Sequence, residues 1–166
     1  MLNHNTLKYL SFLSFFVLMV SGIQAQTEIV PVEEGTNEKT KLEKVKLYVD
    51  KGADVNTKDE ENNTALLYAA GLGHFDIVKY LVESGANVNA RNAQGLSVLS
   101  LCAYLNRFDI AKYLIEHGAD VKTQNVNGYT PLMYAIIGEK INLDLILLLI
   151  DKGANVNAGN KYNTTI

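Results

Sequence analysis

An all-α solenoid of short helix-turn-helix units is the fold predicted for this 166-residue chain, and three observations carry the prediction. First, a Gly-Ala-Asp/Asn-Val signature recurs at residues 52–55, 85–88, 118–121 and 153–156, its glycines 33, 33 and 35 residues apart. Repeats of that period are small units, each burying its apolar face only against its neighbours. Second, apolar residues return at helical spacing: Ile77, Val78, Leu81 and Val82 make an i, i+1, i+4, i+5 stripe. Third, Gln94-Gly95 and Asn127-Gly128 supply the turn chemistry of short hairpins between units.

The chain opens with a segment outside this repeat. Within residues 1–25 Lys8 is the one charged side chain, and an apolar run of 12 residues from Tyr9 to Val20 leads to Ser21-Gly22-Ile23-Gln24-Ala25. A short apolar core ending in small and polar residues reads as a secretory signal peptide, with Ala25 before the cut. The run falls short of the roughly 20 residues a spanning helix needs. Export to a periplasmic or secreted location is therefore expected, and the segment has a bacterial look. Residues 26–37 read as a flexible leader.

Residues 38–58 form a divergent opening unit. Its basic stretch from Lys39 to Lys51 is interleaved with Glu43 and Asp50, the pattern of a solvated helix face. Full repeats follow at 59–91, 92–124 and 125–159, with a partial unit at 160–166. In the first, Thr64 is placed to cap a helix, Ala69 and Ala70 leave room for a neighbouring helix, and Asp76 opens the second helix. Gly85, Gly118 and Gly153 suit the left-handed position that ends a helix, and Val88, Val121 and Val156 are expected to pin the following turn to the core. Pro131 stands at a first helical position, where its missing N–H costs nothing.

These units resemble ankyrin repeats. The family's pattern is matched by Thr64, Leu66, Ala69, Ala70, Gly73, His74, Ile77, Val78, Leu81, Gly85, Ala86, Val88 and Asn89, and again by Thr130, Pro131, Leu132, Ala135, Gly153, Ala154, Val156 and Asn157. The resemblance implies an ankyrin-repeat solenoid of helix pairs with protruding hairpin-like turns, from about residue 41 onward. Three departures stand out. Leu67, Ser100 and Met133 replace the family's first-helix histidine, Asn106-Arg107 replaces Gly-His, and two extra residues lie between the helices of the third repeat. That insertion reads as a tolerated loop change.

Composition narrows the function. With 48% hydrophobic and 20% charged residues the chain reads as globular. Its net charge of −3 carries no basic stripe for nucleic acid. Cys102, the one cysteine, replaces a repeat alanine and reads as a buried small residue. His74 and His117 are isolated, without the spacing of metal ligands, and no serine sits in a glycine-framed nucleophile turn. A non-catalytic protein with no cofactor or metal is expected.

The resemblance implies binding through hairpin tips and the concave first-helix surface. Structural demands are weak there, yet Leu72, Leu96, Tyr104, Leu105, Val126, Tyr129 and Ile137 form a largely apolar set. Such a group marks an interaction site, with tyrosine a common anchor. The expected function is protein binding, with Tyr104 and Tyr129 near the centre and Glu60 and Glu61 at an acidic rim. Alternatives are an accessory or inhibitory protein acting on one extracytoplasmic enzyme or toxin, or a fragment of a larger ankyrin-containing protein. The segment 143–150 is apolar nearly all round, with Leu147 where Lys79 and Lys112 stand. A truncated chain, a covering partner or second copy (self-association through this helix), and a tolerated sticky end all account for it.

Overall fold

The computed structural model describes residues 37–162 and Thr165. The signal segment and residues 26–36 of the leader lie outside the described residues. Among the described residues seven helices follow one another: α1 (Glu38–Asp50), α2 (Ala65–Leu72), α3 (Phe75–Glu83), α4 (Val98–Tyr104), α5 (Phe108–Glu116), α6 (Pro131–Ile137) and α7 (Leu143–Asp151). The inner row is α2, α4 and α6, packed side by side; the outer row is α1, α3, α5 and α7. Among the described residues the opening unit contributes one helix, α1, which packs on α3 as an outer helix. Asn37, placed in the leader by the sequence, belongs to this helix: its Oδ1 accepts the Thr40 N–H at 2.9 Å.

Each inner helix begins the same way. Thr64, Ser97 and Thr130 accept the N–H of the residue three further on, at 3.4, 3.1 and 3.2 Å. All three are buried, so water cannot replace the bond, and a cap of this kind contributes about 1 kcal/mol. Leu66, Leu99 and Leu132, at one repeat position, fill the space between rows, while Ala69, Ala70, Cys102, Ala103 and Ala135 let inner helices approach closely. Burial pushes the Cys102 thiol up to about 12, so it behaves as a small apolar residue.

The residue before each complete-repeat outer helix reaches back one unit. His74 Nδ1 lies 2.8 Å from Glu38 Oε1, Arg107 Nη2 donates to Gly71 O at 3.3 Å, and Asn142 Nδ2 donates to Asn106 Oδ1 at 2.9 Å. Three different side chains thus bridge the same junction, which gives the Asn106-Arg107 departure its structural role. Asp76 and Asp109 sit in the first turn of α3 and α5 rather than opening them; the helices start one residue earlier, at Phe75 and Phe108. There the carboxylates face the positive end of the helix dipole.

The insertion in the third repeat is docked against its neighbour. Glu139 N–H donates to Tyr104 O at 2.9 Å, and a Cβ at Gly138 would collide with the Tyr104 and Tyr134 carbonyl oxygens. Asn142, at its end, also accepts the Leu145 N–H at 3.2 Å, a side-chain cap that α3 and α5 lack.

A second ladder runs along the turns after the outer helices. Asn56 Nδ2 donates to Gly85 O at 3.0 Å and Asn56 Oδ1 accepts Asn87 N–H at 2.7 Å. Asn89 repeats both bonds with Gly118 O at 3.1 Å and Asp120 N–H at 2.8 Å. At the next step the residue is Lys122, whose stem runs past Gly153. Val55 and Val121 are buried in their turns, but Val156 is exposed. The expectation that Val156 pins its turn to the core is corrected: no described unit stacks beyond it.

Candidate functional site

The tips are tight turns stapled by their first residue. Asn92 Oδ1 accepts the N–H groups of Gln94 and Leu96 at 3.1 and 3.0 Å, and Asn125 Oδ1 those of Asn127 and Tyr129, each at 2.9 Å. Asp59 does the same for Glu61 and Asn63, at 2.9 and 2.7 Å. Successive tips are joined through the backbone: Ala93 N–H to Glu61 O at 2.7 Å, Val126 N–H to Gln94 O at 3.0 Å, and Lys161 N–H to Asn127 O at 2.9 Å. Strand pairing in the tips is limited, among the described residues, to isolated bridges such as Arg91 with Ser97. Gly128 adopts φ 82°, and a Cβ there would press on the backbone of Asn160 and Lys161. Glycine thus permits both the turn and the close approach of the next tip.

This ladder fixes where the sequence-predicted residues stand. Tyr104 (39% exposed), Val126 and Ile137 are open to solvent, whereas Leu72, Leu96, Leu105 and Tyr129 are half-buried. Leu105 turns toward Gly71 of the preceding repeat, with Leu101 beside it, so part of its surface is spent on packing. Tyr104 and Tyr129 are joined by a residue absent from the predicted set. Tyr134 of α6 packs edge-on to Tyr104 (centroids 6.2 Å apart, 87° between planes) and tilted against Tyr129 (5.7 Å, 39°). Its signal was readable: Tyr134 stands in the third repeat where Tyr68 stands in the first.

The two equivalent tyrosines differ in hydrogen bonding. Tyr68 O–H donates to Asp59 Oδ2 at 2.7 Å. Burial, then this hydrogen bond to the carboxylate, push the Tyr68 hydroxyl up to about 12. In the third repeat Asn125 replaces the aspartate, and its Nδ2 donates to the Tyr134 oxygen at 2.8 Å. The Tyr134 hydroxyl oxygen thus accepts from its tip residue, where the Tyr68 hydroxyl donates to its own. Burial raises the pKa of Tyr134, against the lowering effect of Asn125, so it keeps its proton at neutral pH. At the other end of the surface Asp59, Glu60 and Glu61 make the first tip acidic, with Glu60 and Glu61 exposed. Among the described residues no group of three or more His, Cys, Asp or Glu is placed to hold a metal ion.

Two rows of short helices joined by laddered tips define a repeat-built solenoid. Ankyrin repeats, in a family model of three copies, match residues 36–125 and 94–160, and the chain belongs to that family. The family is generally a non-catalytic interaction domain. No curated protein matches the chain.

Proposed function

We propose that the chain binds a protein partner across its tips and inner helices, with Tyr104, Tyr129 and Tyr134 as the anchor. The observation that carries this reading is the three-tyrosine cluster on α4, α6 and the tip between them. Tyrosine offers a large rigid ring and a polar end, the combination found at interface hot spots. Val126 and Ile137 extend the apolar area, and Tyr134 O–H supplies a donor for a carbonyl or carboxylate of the partner. The helix rows and the tip ladder hold these groups in place beforehand, so little conformational freedom is lost on association.

The test is capture with paired baits, followed by affinities for whatever the wild type retains. One bait carries Tyr104→Ala and Tyr134→Ala; a control carries Lys79→Ala on the outer row. The expected result is a protein held by the wild type and the control and lost by the double variant. Tyr134→Phe, which keeps the ring, should weaken binding by about 3- to 10-fold, the effect of one hydrogen bond. Equal retention by all baits, with folding verified by circular dichroism, refutes the reading.

A further inference from the structure

The three complete repeats carry the same small constellation at their tips, each with different chemistry. Its members are the first tip residue, the residue four further on and the inner-helix residue nine further on. They are Asp59, Asn63 and Tyr68, then Asn92, Leu96 and Leu101, then Asn125, Tyr129 and Tyr134. In the first repeat the phenol is satisfied within its own unit: Tyr68 O–H donates to Asp59 Oδ2 at 2.7 Å, and its oxygen accepts from Asn63 Nδ2 at 3.3 Å. In the second, leucine takes the place of the phenol. In the third, Asn125 Nδ2 donates to the hydroxyl oxygen at 2.8 Å, and the counterpart of Asn63 is Tyr129, which offers its ring instead.

The direction of the Asn125–Tyr134 bond is fixed by the tip itself. Asn125 Oδ1 accepts the backbone N–H groups of Asn127 and Tyr129, each at 2.9 Å, so the amide cannot turn over without breaking both. Its nitrogen, which faces Tyr134, is a donor only. Tyr134 therefore accepts from Asn125 and cannot donate to it. Among the described residues no other hydrogen bond involves this hydroxyl, so the fold leaves its proton uncommitted.

We propose that Asn125 sets what the tyrosine cluster recognises: by holding Tyr134 as a donor, it selects a partner that places an acceptor oxygen, carbonyl or carboxylate, against the Tyr134 hydroxyl. This rests on the reading of the cluster as the binding anchor, and Asn125 acts in it as a positioning residue. A partner N–H at that point would meet an oxygen that already accepts from Asn125, and the two donors would compete for it. An acceptor instead completes a relay from the Asn125 amide through Tyr134 O–H to the partner, in which each bond polarises the next. Tyr134 is half-buried, which limits the water that could mask the difference. A donor or acceptor left without its partner there is the costly case. Asp59 shows the alternative that the fold tolerates. A carboxylate at this place keeps the same two tip bonds, from Glu61 and Asn63, and takes the tyrosine proton for itself.

Asn125→Asp in the full chain tests this. It exchanges one amide nitrogen for oxygen and reproduces a pair that already folds in the first repeat, which circular dichroism verifies. The variant should turn the Tyr134 proton inward, and two readouts follow that a purely structural role would not move. NMR titration of chain labelled at the oxygen-bearing ring carbon of tyrosine, with Tyr134→Phe to assign the signal, should show the Tyr134 pKa raised by the variant. The hydrogen bond to Asp59 acts on Tyr68 in that sense. Affinity for the protein that the wild-type bait retains should fall about 3- to 10-fold, as in Tyr134→Phe. Combining the two substitutions should weaken binding no further, since both remove the same donor. Asn92→Asp, which adds the same charge to a tip whose constellation ends in Leu101, should bind as the wild type does. A Tyr134→Phe loss that shrinks with added salt identifies the acceptor as a carboxylate, and a constant loss as a carbonyl. An unmoved Tyr134 titration, full affinity in Asn125→Asp, additive losses in the double variant, or equal weakening by Asn92→Asp overturns the proposal and leaves the tyrosine anchor standing. A wild-type bait that retains nothing overturns the anchor and this proposal together.

Discussion

Asp59 and Asn125 occupy the same place in their repeats and give the adjacent tyrosines opposite hydrogen-bond roles. Burial works to raise the Asp59 carboxyl, but bonds from Tyr68, Asn63 and Glu61 outweigh it and hold its pKa below 3.8. A depressed carboxyl contributes stability that is complete above the unfolded value and is lost as pH falls through the folded one. Asp59→Asn places in the first tip the residue that the second and third tips already use, so the turn should survive. Wild type should melt above the variant at about pH 7, and that advantage should shrink toward zero at about pH 2. A difference that stays constant with pH would contradict this. The residue scale is also where the sequence was hardest to read. Tyr104 and Tyr129 stand out as apolar choices at unconstrained positions. Tyr134 lies inside a helix, where a tyrosine reads as core; its match to Tyr68 marks the position, and the packing shows it joining the other two.

Helices and turns were legible because each carries its own local physics: a hydroxyl cap, a two-alanine gap, an apolar stripe, a glycine with positive φ. Bonds between units were not, because their partners stand about one repeat away and no local pattern announces them. His74, Arg107 and Asn142 share a position and a task yet have no side-chain chemistry in common beyond a nitrogen donor. The same reasoning recasts the two-residue insertion, which reads in sequence as a tolerated change but holds Gly138 against the Tyr104 carbonyl at the end of α4. The asparagine ladder supplies the prediction at this scale. Asn56 and Asn89 each make two bonds to the next unit, and Lys122 makes neither. Lys122→Asn restores a donor to Gly153 O and an acceptor for Asn155 N–H. It should stabilise the chain by about 1 kcal/mol, since these are exposed bonds that compete with water. Denaturant unfolding checks it, and an unchanged or lowered midpoint would show that the Lys122 stem already serves that junction as well.

At the scale of the whole molecule, units that bury their faces only on each other leave two kinds of surface. One is the long side, where the outward-facing side chains of the tips and inner helices carry the tyrosine cluster beside an acidic first tip. The other is the end of the stack, where the side of α7 turned away from α5 and α6 meets no described unit. The long side is the one proposed to bind the partner, with the tyrosine cluster as its anchor. Hydrogen exchange on the chain with its captured partner tests it most directly. Slowed exchange is expected at the second and third tips and in α4 and α6, around Tyr104, Val126, Tyr129 and Tyr134, with α3 and α5 unchanged. Slowing concentrated on the outer helices or α7, with the tips exchanging as in the free chain, would contradict it.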